Sequence, residues 1–100
     1  NQTTVPVSIA SPTTPYNAKV TVTTAGTRVQ LNASRAVQSV TIKAGLTNTG
    51  IIYVGDSTVA SSNGLELAAG DSVSMDISNL NVLYIDASVN NQYVTYIAVN

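Results

Sequence analysis

The sequence predicts an all-β domain, an antiparallel β-sandwich of about eight short strands in a jelly-roll-like arrangement. Three observations point there. Apolar residues alternate with polar ones in run after run, the period-two signature of a strand with one buried face. Val, Ile, Thr and Tyr supply most of these runs, and no helix-length window carries the 3.6-residue period. Gly, Asn and Asp punctuate the runs at spacings suited to a sandwich or barrel.

The first seventeen residues differ from the rest. Pro6, Pro12 and Pro15 fall in a Thr/Ser/Asn-rich stretch whose apolar anchors are Val5, Val7 and Ile9. Proline removes ladder donors and favours extended backbone, so residues 1–17 read as an arm or an edge strand. Residues 18–100 read as the sandwich itself.

Ala18, Val20 and Val22 alternate with Lys19, Thr21 and Thr23, predicting the first regular strand. Ala25-Gly26 turns the chain into Arg28-Val29-Gln30-Leu31. A polar link from Asn32 leads to Val40, Ile42 and Ala44, and residues 45–50 form a loop by composition. Ile51-Ile52-Tyr53-Val54 is a short strand closed by Gly55-Asp56. Residues 57–64 make a polar excursion ending in the turn dipeptide Asn63-Gly64. Leu65 and Leu67 flank Glu66, Ala69-Gly70-Asp71 turns the chain, and Val73, Met75 and Ile77 alternate with polar partners. Val82-Leu83-Tyr84-Ile85-Asp86 follows, and Asn90-Asn91-Gln92 leads into a last strand over 93–99. Two packed antiparallel sheets bury these faces most simply. A jelly-roll-like order is preferred to an immunoglobulin-like one, whose cysteine pair and tryptophan are missing.

Composition narrows the function. Four basic and five acidic residues make up 9% of the chain, against about a quarter in an ordinary domain. Lys19, Arg28, Arg35 and Lys43 form no dense cluster, so no nucleic-acid partner is expected. No apolar run approaches the roughly 18–20 residues a membrane helix needs, and no membrane partner is expected. Such a surface packs against neighbours with few charges to desolvate.

Catalytic signatures are missing. The chain has neither His nor Cys, which removes the usual general base, the commonest metal ligand and the thiolate nucleophile. Its serines have no base partner in sequence. Asp56, Glu66, Asp71, Asp76 and Asp86 show neither a calcium-loop pattern nor a paired-carboxylate signature. Asp56 and Asp71 follow glycines, where aspartate commonly bonds nearby backbone N–H groups. No enzyme, metal site or cofactor is expected.

Three strands are apolar on both faces: 51–54, 82–86 and the last. Such strands are covered on both sides, and three covers are open to them: the N-terminal arm, the loop 57–64, or another subunit. Tyr53, Tyr84 and Tyr96, with Val5, Val7 and Ile9, are the candidate interface residues, since tyrosine is enriched at interfaces. Intramolecular burial and a sugar-stacking platform are the other readings of the tyrosines.

One further expectation comes from likeness rather than patterning. Val40-Thr41-Ile42-Lys43-Ala44 followed by Asn48-Thr49-Gly50-Ile51-Ile52-Tyr53-Val54-Gly55 resembles a small β-sandwich module of tailed-bacteriophage virion proteins. The resemblance continues through Ser61-Ser62-Asn63-Gly64, Leu67-Ala68-Ala69-Gly70-Asp71-Ser72-Val73, Asn79-Leu80-Asn81, Leu83-Tyr84-Ile85-Asp86-Ala87 and Tyr96-Ile97. It covers about the last two-thirds of the chain and is carried by strand and turn residues. It implies a capsid decoration (cement), head-fibre or tail-associated protein, held on the virion surface as a homo-oligomer, with a trimer favoured, against a major capsid protein. The expected function is therefore capsid decoration. The alternative is a receptor- or carbohydrate-binding module of a phage tail or fibre, with a glycan as partner. A bacterial surface adhesion domain is a weaker third.

Overall fold

A computed structural model describes residues 14–100. Val5, Val7 and Ile9 lie outside the described residues. Eight strands follow in order: β1 (Pro15–Val22), β2 (Val29–Gln30), β3 (Ser39–Ala44), β4 (Ile52–Gly55), β5 (Leu65–Leu67), β6 (Ser72–Asp76), β7 (Tyr84–Ala87) and β8 (Gln92–Val99). They form two four-stranded antiparallel sheets, ordered β1-β8-β3-β6 and β2-β7-β4-β5. First pairs with last, second with seventh, third with sixth and fourth with fifth. That nesting makes a jelly roll, one long hairpin rolled into two layers. The register shows the rolling directly. Val22 opposes Gln92, and seven residues further along each strand Val29 opposes Ile85, so the ladder turns the corner between sheets without a slip.

Pro15, Tyr16 and Asn17 belong to β1, an edge strand of its sheet. Thr14 and Asn100 exchange reciprocal backbone bonds of 3.3 and 2.9 Å. In an antiparallel ladder such exchanging pairs alternate with pairs whose groups point away from the partner. Residues 14, 16, 18, 20 and 22 therefore bond to β8, and Pro15 falls on the alternate set. The N–H it lacks would have faced away from β8, which is why a proline fits inside this strand.

The core lies between the layers. Val22, Ile42, Val94 and Ala98 from one sheet meet Ile52, Val54, Ile85 and Leu67 from the other, all buried. Burying each branched side chain contributes about 1.5–3 kcal/mol, so the alternation in sequence is also the stability of the fold. Two buried polar residues stitch the ends. Gln92 accepts from Thr49 and Gly50 N–H at 2.7 and 2.9 Å and donates to the Asn90 carbonyl at 3.0 Å. Asp86 accepts from Gly26 and Ala87 N–H at 2.9 and 2.7 Å. Gly26 reaches its carboxylate at φ +86°, a conformation glycine adopts without a steric penalty.

One strand differs from expectation. The run from Val82 is not extended throughout, because Leu80–Val82 forms a short 3-10 turn. Asn79 causes it: its Oδ1 accepts from Asn81 N–H at 2.9 Å and from Arg35 N–H at 3.0 Å. Val82 is thereby left half exposed, and only Leu83, Ile85 and Ala87 of this run enter the core.

The loop 57–64 packs over the outside of β4. A Cβ at Gly64 would meet Tyr53, Val59 and the Ala60 carbonyl, all at or below 3.1 Å. The carbonyl is backbone and yields little, so Gly64→Ala is expected to destabilise the fold by about 1–3 kcal/mol. Thermal unfolding followed by circular dichroism measures it, and an unchanged Tm would show that the loop does not rest on β4.

Candidate functional site

The three candidate tyrosines go to different places. Tyr53 is buried, at 7% exposure, on the outer face of β4, with Val59 of the loop 57–64 as part of its cover. Of the three covers open to this strand, the loop is the one seen there. Tyr84 is half buried on the same outer face, opposite Gly55 on one side and Gln30 on the other. Tyr96 points inward and joins the core. Its hydroxyl accepts from Asn32 Nδ2 at 3.1 Å, and its ring meets that of Tyr16 at 6.0 Å between centroids. Burial pushes the Tyr96 hydroxyl's pKa up, so it stays protonated at neutral pH. Tyr53 and Tyr84 thus share a face, and Tyr96 sits in the opposite sheet.

Sequence reasoning passed over Tyr16 and Tyr93, which do more. Tyr16 carries the Arg35 guanidinium 3.8 Å above its ring. The two help line a cavity of about 300 Å³ with Thr14, Ser34, Val37 and Asn100. Tyr93 holds the Lys19 ammonium 4.4 Å from its ring centre. The available signal was alternation: Tyr16 precedes Ala18, Val20 and Val22 in register, and Tyr93 shares the Thr95 and Ile97 face.

That second face, the outer side of β1-β8-β3-β6, is open among the described residues. Alternation turns Asn17, Lys19 and Thr21 of β1 outward, beside Tyr93, Thr95 and Ile97 of β8. Thr41 and Lys43 of β3 lie on the other flank, and Ser74 of β6 beyond them. Thr95 is flanked directly by Lys19 and Lys43, and Ile97 by Asn17 and Thr41. Short Thr95 between two long lysine stems makes a shallow trough of about 500 Å³. Ile97 lines it, 53% exposed. Thr41 and Ser74 hydroxyls bond at 2.7 Å and hold its far side. The trough offers aliphatic stems, hydroxyls and two ammonium groups.

Asp56 and Asp71 serve the turns, as their positions after glycine suggested. Asp71 accepts from Ala68 N–H at 3.0 Å. Asp56 accepts from the Thr58 hydroxyl at 2.6 Å and from its N–H at 2.9 Å. No three of the acidic residues gather into a potential metal cluster among the described residues. The Thr58 hydroxyl, helped by the Thr58 N–H, holds the Asp56 pKa below its ordinary value. A lowered folded-state pKa stabilises the turn above the ordinary carboxylate range of about 3.9 and loses that stabilisation as pH falls through the folded value. The Thr58 amide resonance is expected to titrate with a midpoint below about 3.9. A midpoint at or above that value would mean that the carboxylate does not hold the turn.

No protein-family description matches the chain, and no curated protein matches it. Solved structures do match in fold. The chain is similar to part of IMPa from Pseudomonas aeruginosa, solved with an O-glycopeptide, at TM-score 0.57 and 16% identity, over 92% of this chain and 13% of that one. The chain thus spans only a small part of IMPa. It is also similar to the SPBc2 prophage-derived protein YomS, at TM-score 0.50 and 15% identity, over 91% of this chain and 99% of that one. A third likeness is to the subunit of Bacillus endospore appendages, described as disulfide-linked pili, at TM-score 0.50 and 14% identity, over 99% and 98% of the two chains. At these identities the shared property is the β-sandwich.

Proposed function

We propose that this chain is a non-enzymatic structural protein of a phage particle, a capsid decoration protein that stabilises the head by contact. It sits on the capsid surface as a homotrimer, against the major capsid protein. The observation that carries this reading is the open outer face of β1-β8-β3-β6. It presents a half-exposed isoleucine, Ile97, between Asn17 and Thr41 and next to the lysine-flanked Thr95, on a chain with 9% charged residues. Clamping a lattice requires contact area with little charge to desolvate, and this face supplies it.

The structural neighbours support the reading. YomS is prophage-derived, the appendage subunit builds a surface filament, and each matches this chain over nearly its whole length. The same sandwich therefore serves in a phage-derived protein and in an assembled appendage.

Capsids stripped of decoration are expected to co-sediment with the purified protein and to gain heat resistance. Ile97→Asp removes this apolar contact and is expected to weaken capsid binding by about tenfold or more. Circular dichroism should stay unchanged, because Ile97 is half exposed. Binding to cells or glycans but not to capsids would replace this reading with a receptor- or carbohydrate-binding module.

A further inference from the structure

The sheet β1-β8-β3-β6 ends in two open edges, and the edges fit each other. On β1, the residues that alternate with those bonded to β8 are Asn17, Lys19 and Thr21. Their N–H and C=O groups face away from the sheet. On β6, Ala44 N–H bonds to the Asp71 carbonyl at 2.9 Å, which assigns residues 71, 73 and 75 to β3. Ser72, Ser74 and Asp76 therefore present their backbone groups outward. No other described strand pairs with either edge. The other sheet ends in strands of two and three residues, β2 and β5, and has little ladder to offer.

We propose that β1 of one copy pairs with β6 of a second copy, head to tail, extending the sheet from molecule to molecule. Four features select this partner. Neighbouring strands are antiparallel throughout the order β1-β8-β3-β6, so β1 and β6 run in opposite directions. Displacing a second copy along the sheet then sets its β6 antiparallel to β1. One register uses every outward residue: Asn17 opposite the second copy's Asp76, Lys19 opposite Ser74, Thr21 opposite Ser72. It leaves Pro15 beyond the ladder. It also sets Tyr16, Ala18 and Val20 opposite Ile77, Met75 and Val73, the residues left partly buried at the rims of the core. Each rim has apolar surface still to cover, and this register brings the two together. Charge agrees. Lys19 is the charged residue of β1 and Asp76 that of β6, and the register places them diagonally, within reach of each other. Neither has an ionic partner among the described residues.

A head-to-tail contact closes into a ring when the rotation per copy closes and otherwise runs on as a filament. The inference deepens the proposed function by naming the surface through which copies associate. It is tested without any capsid, so a failure of capsid binding leaves it standing and the reverse also holds. Sedimentation velocity across a concentration series is expected to show assembly beyond the monomer. Ser74→Pro removes an N–H that the single molecule does not use. It is expected to weaken association by about tenfold or more while circular dichroism keeps the strand spectrum. Lys19→Asp and Asp76→Lys are each expected to weaken association, and mixing the two variants to restore it, since each copy's β1 then meets a β6 of opposite charge. These exposed substitutions decide between pairing and its absence even if Ser74→Pro fails to fold. A monomer at every concentration, or association indifferent to both the proline and the charge exchanges, overturns the proposal.

Discussion

The ladder between β1 and β8 is the constraint on which the rest of this molecule depends. It joins the two ends of the described chain across eight residue pairs, and every other pairing lies nested inside it. Each backbone hydrogen bond contributes only about 0.5–1.5 kcal/mol net, so the ladder's larger effect is positional. It sets Val20 opposite Val94 and Val22 opposite Gln92, and from there the register runs on into the second sheet. A slip by one residue would turn Tyr96 and Val94 outward and bring Thr95 and Ile97 into the core. The apolar inner faces forbid that slip, so packing and register enforce each other.

The two outer faces follow from how loops are spent. Across β2-β7-β4-β5 the chain lays its own excursions over the strands: loop 57–64 over Tyr53, and the Ala25-Gly26 turn against Asp86. Turn chemistry makes these covers rigid, with Asp56 and Asn63 holding backbone groups of 58 and 60. Over β1-β8-β3-β6 the described loop after β3 reaches Tyr93, whose hydroxyl accepts from that of Thr47 at 3.4 Å, while Lys19, Lys43, Thr95 and Ile97 stay exposed. Among the described residues, one sheet carries the chain's own loops on its outer face, and the other keeps more of its outer face exposed.

Much of the fold was legible in the residues. Alternation marked β1, β2, β3, β5 and β6, while β4, β7 and β8 showed as apolar runs with two greasy faces, and Val20–Val22 or Val40–Ala44 could hardly be read otherwise. The jelly-roll preference came from what was missing, the cysteine pair and tryptophan of another sandwich, and strand order was beyond local pattern because it is set by pairings as distant as Pro15 with Val99. The run at 82 misled because Asn79's capping bond to Asn81 competes with extension, and side-chain capping is weakly written in composition. The site was legible only in part. The two-faced pattern of β4 goes with a loop laid over Tyr53, whereas that of β8 leaves Ile97 half exposed among the described residues, and a period of two cannot say which face is inner. Tyr96, taken as a candidate for contact, lies in the core, and its neighbour Ile97 is the exposed one.

The nested pairing has a consequence for how the chain handles copies of itself. Among the described residues, strand β1 is held along one side only, by a partner at least seventy residues away in sequence. Contacts so distant form late, because the loop they close must be ordered first. Until β1 docks, β8 shows a bare rail to any passing chain, and the first strand of a sister molecule satisfies it as well as its own. Crowded production of this protein therefore favours strand exchange, in which each fold is completed by a neighbour's chain and every native bond is kept.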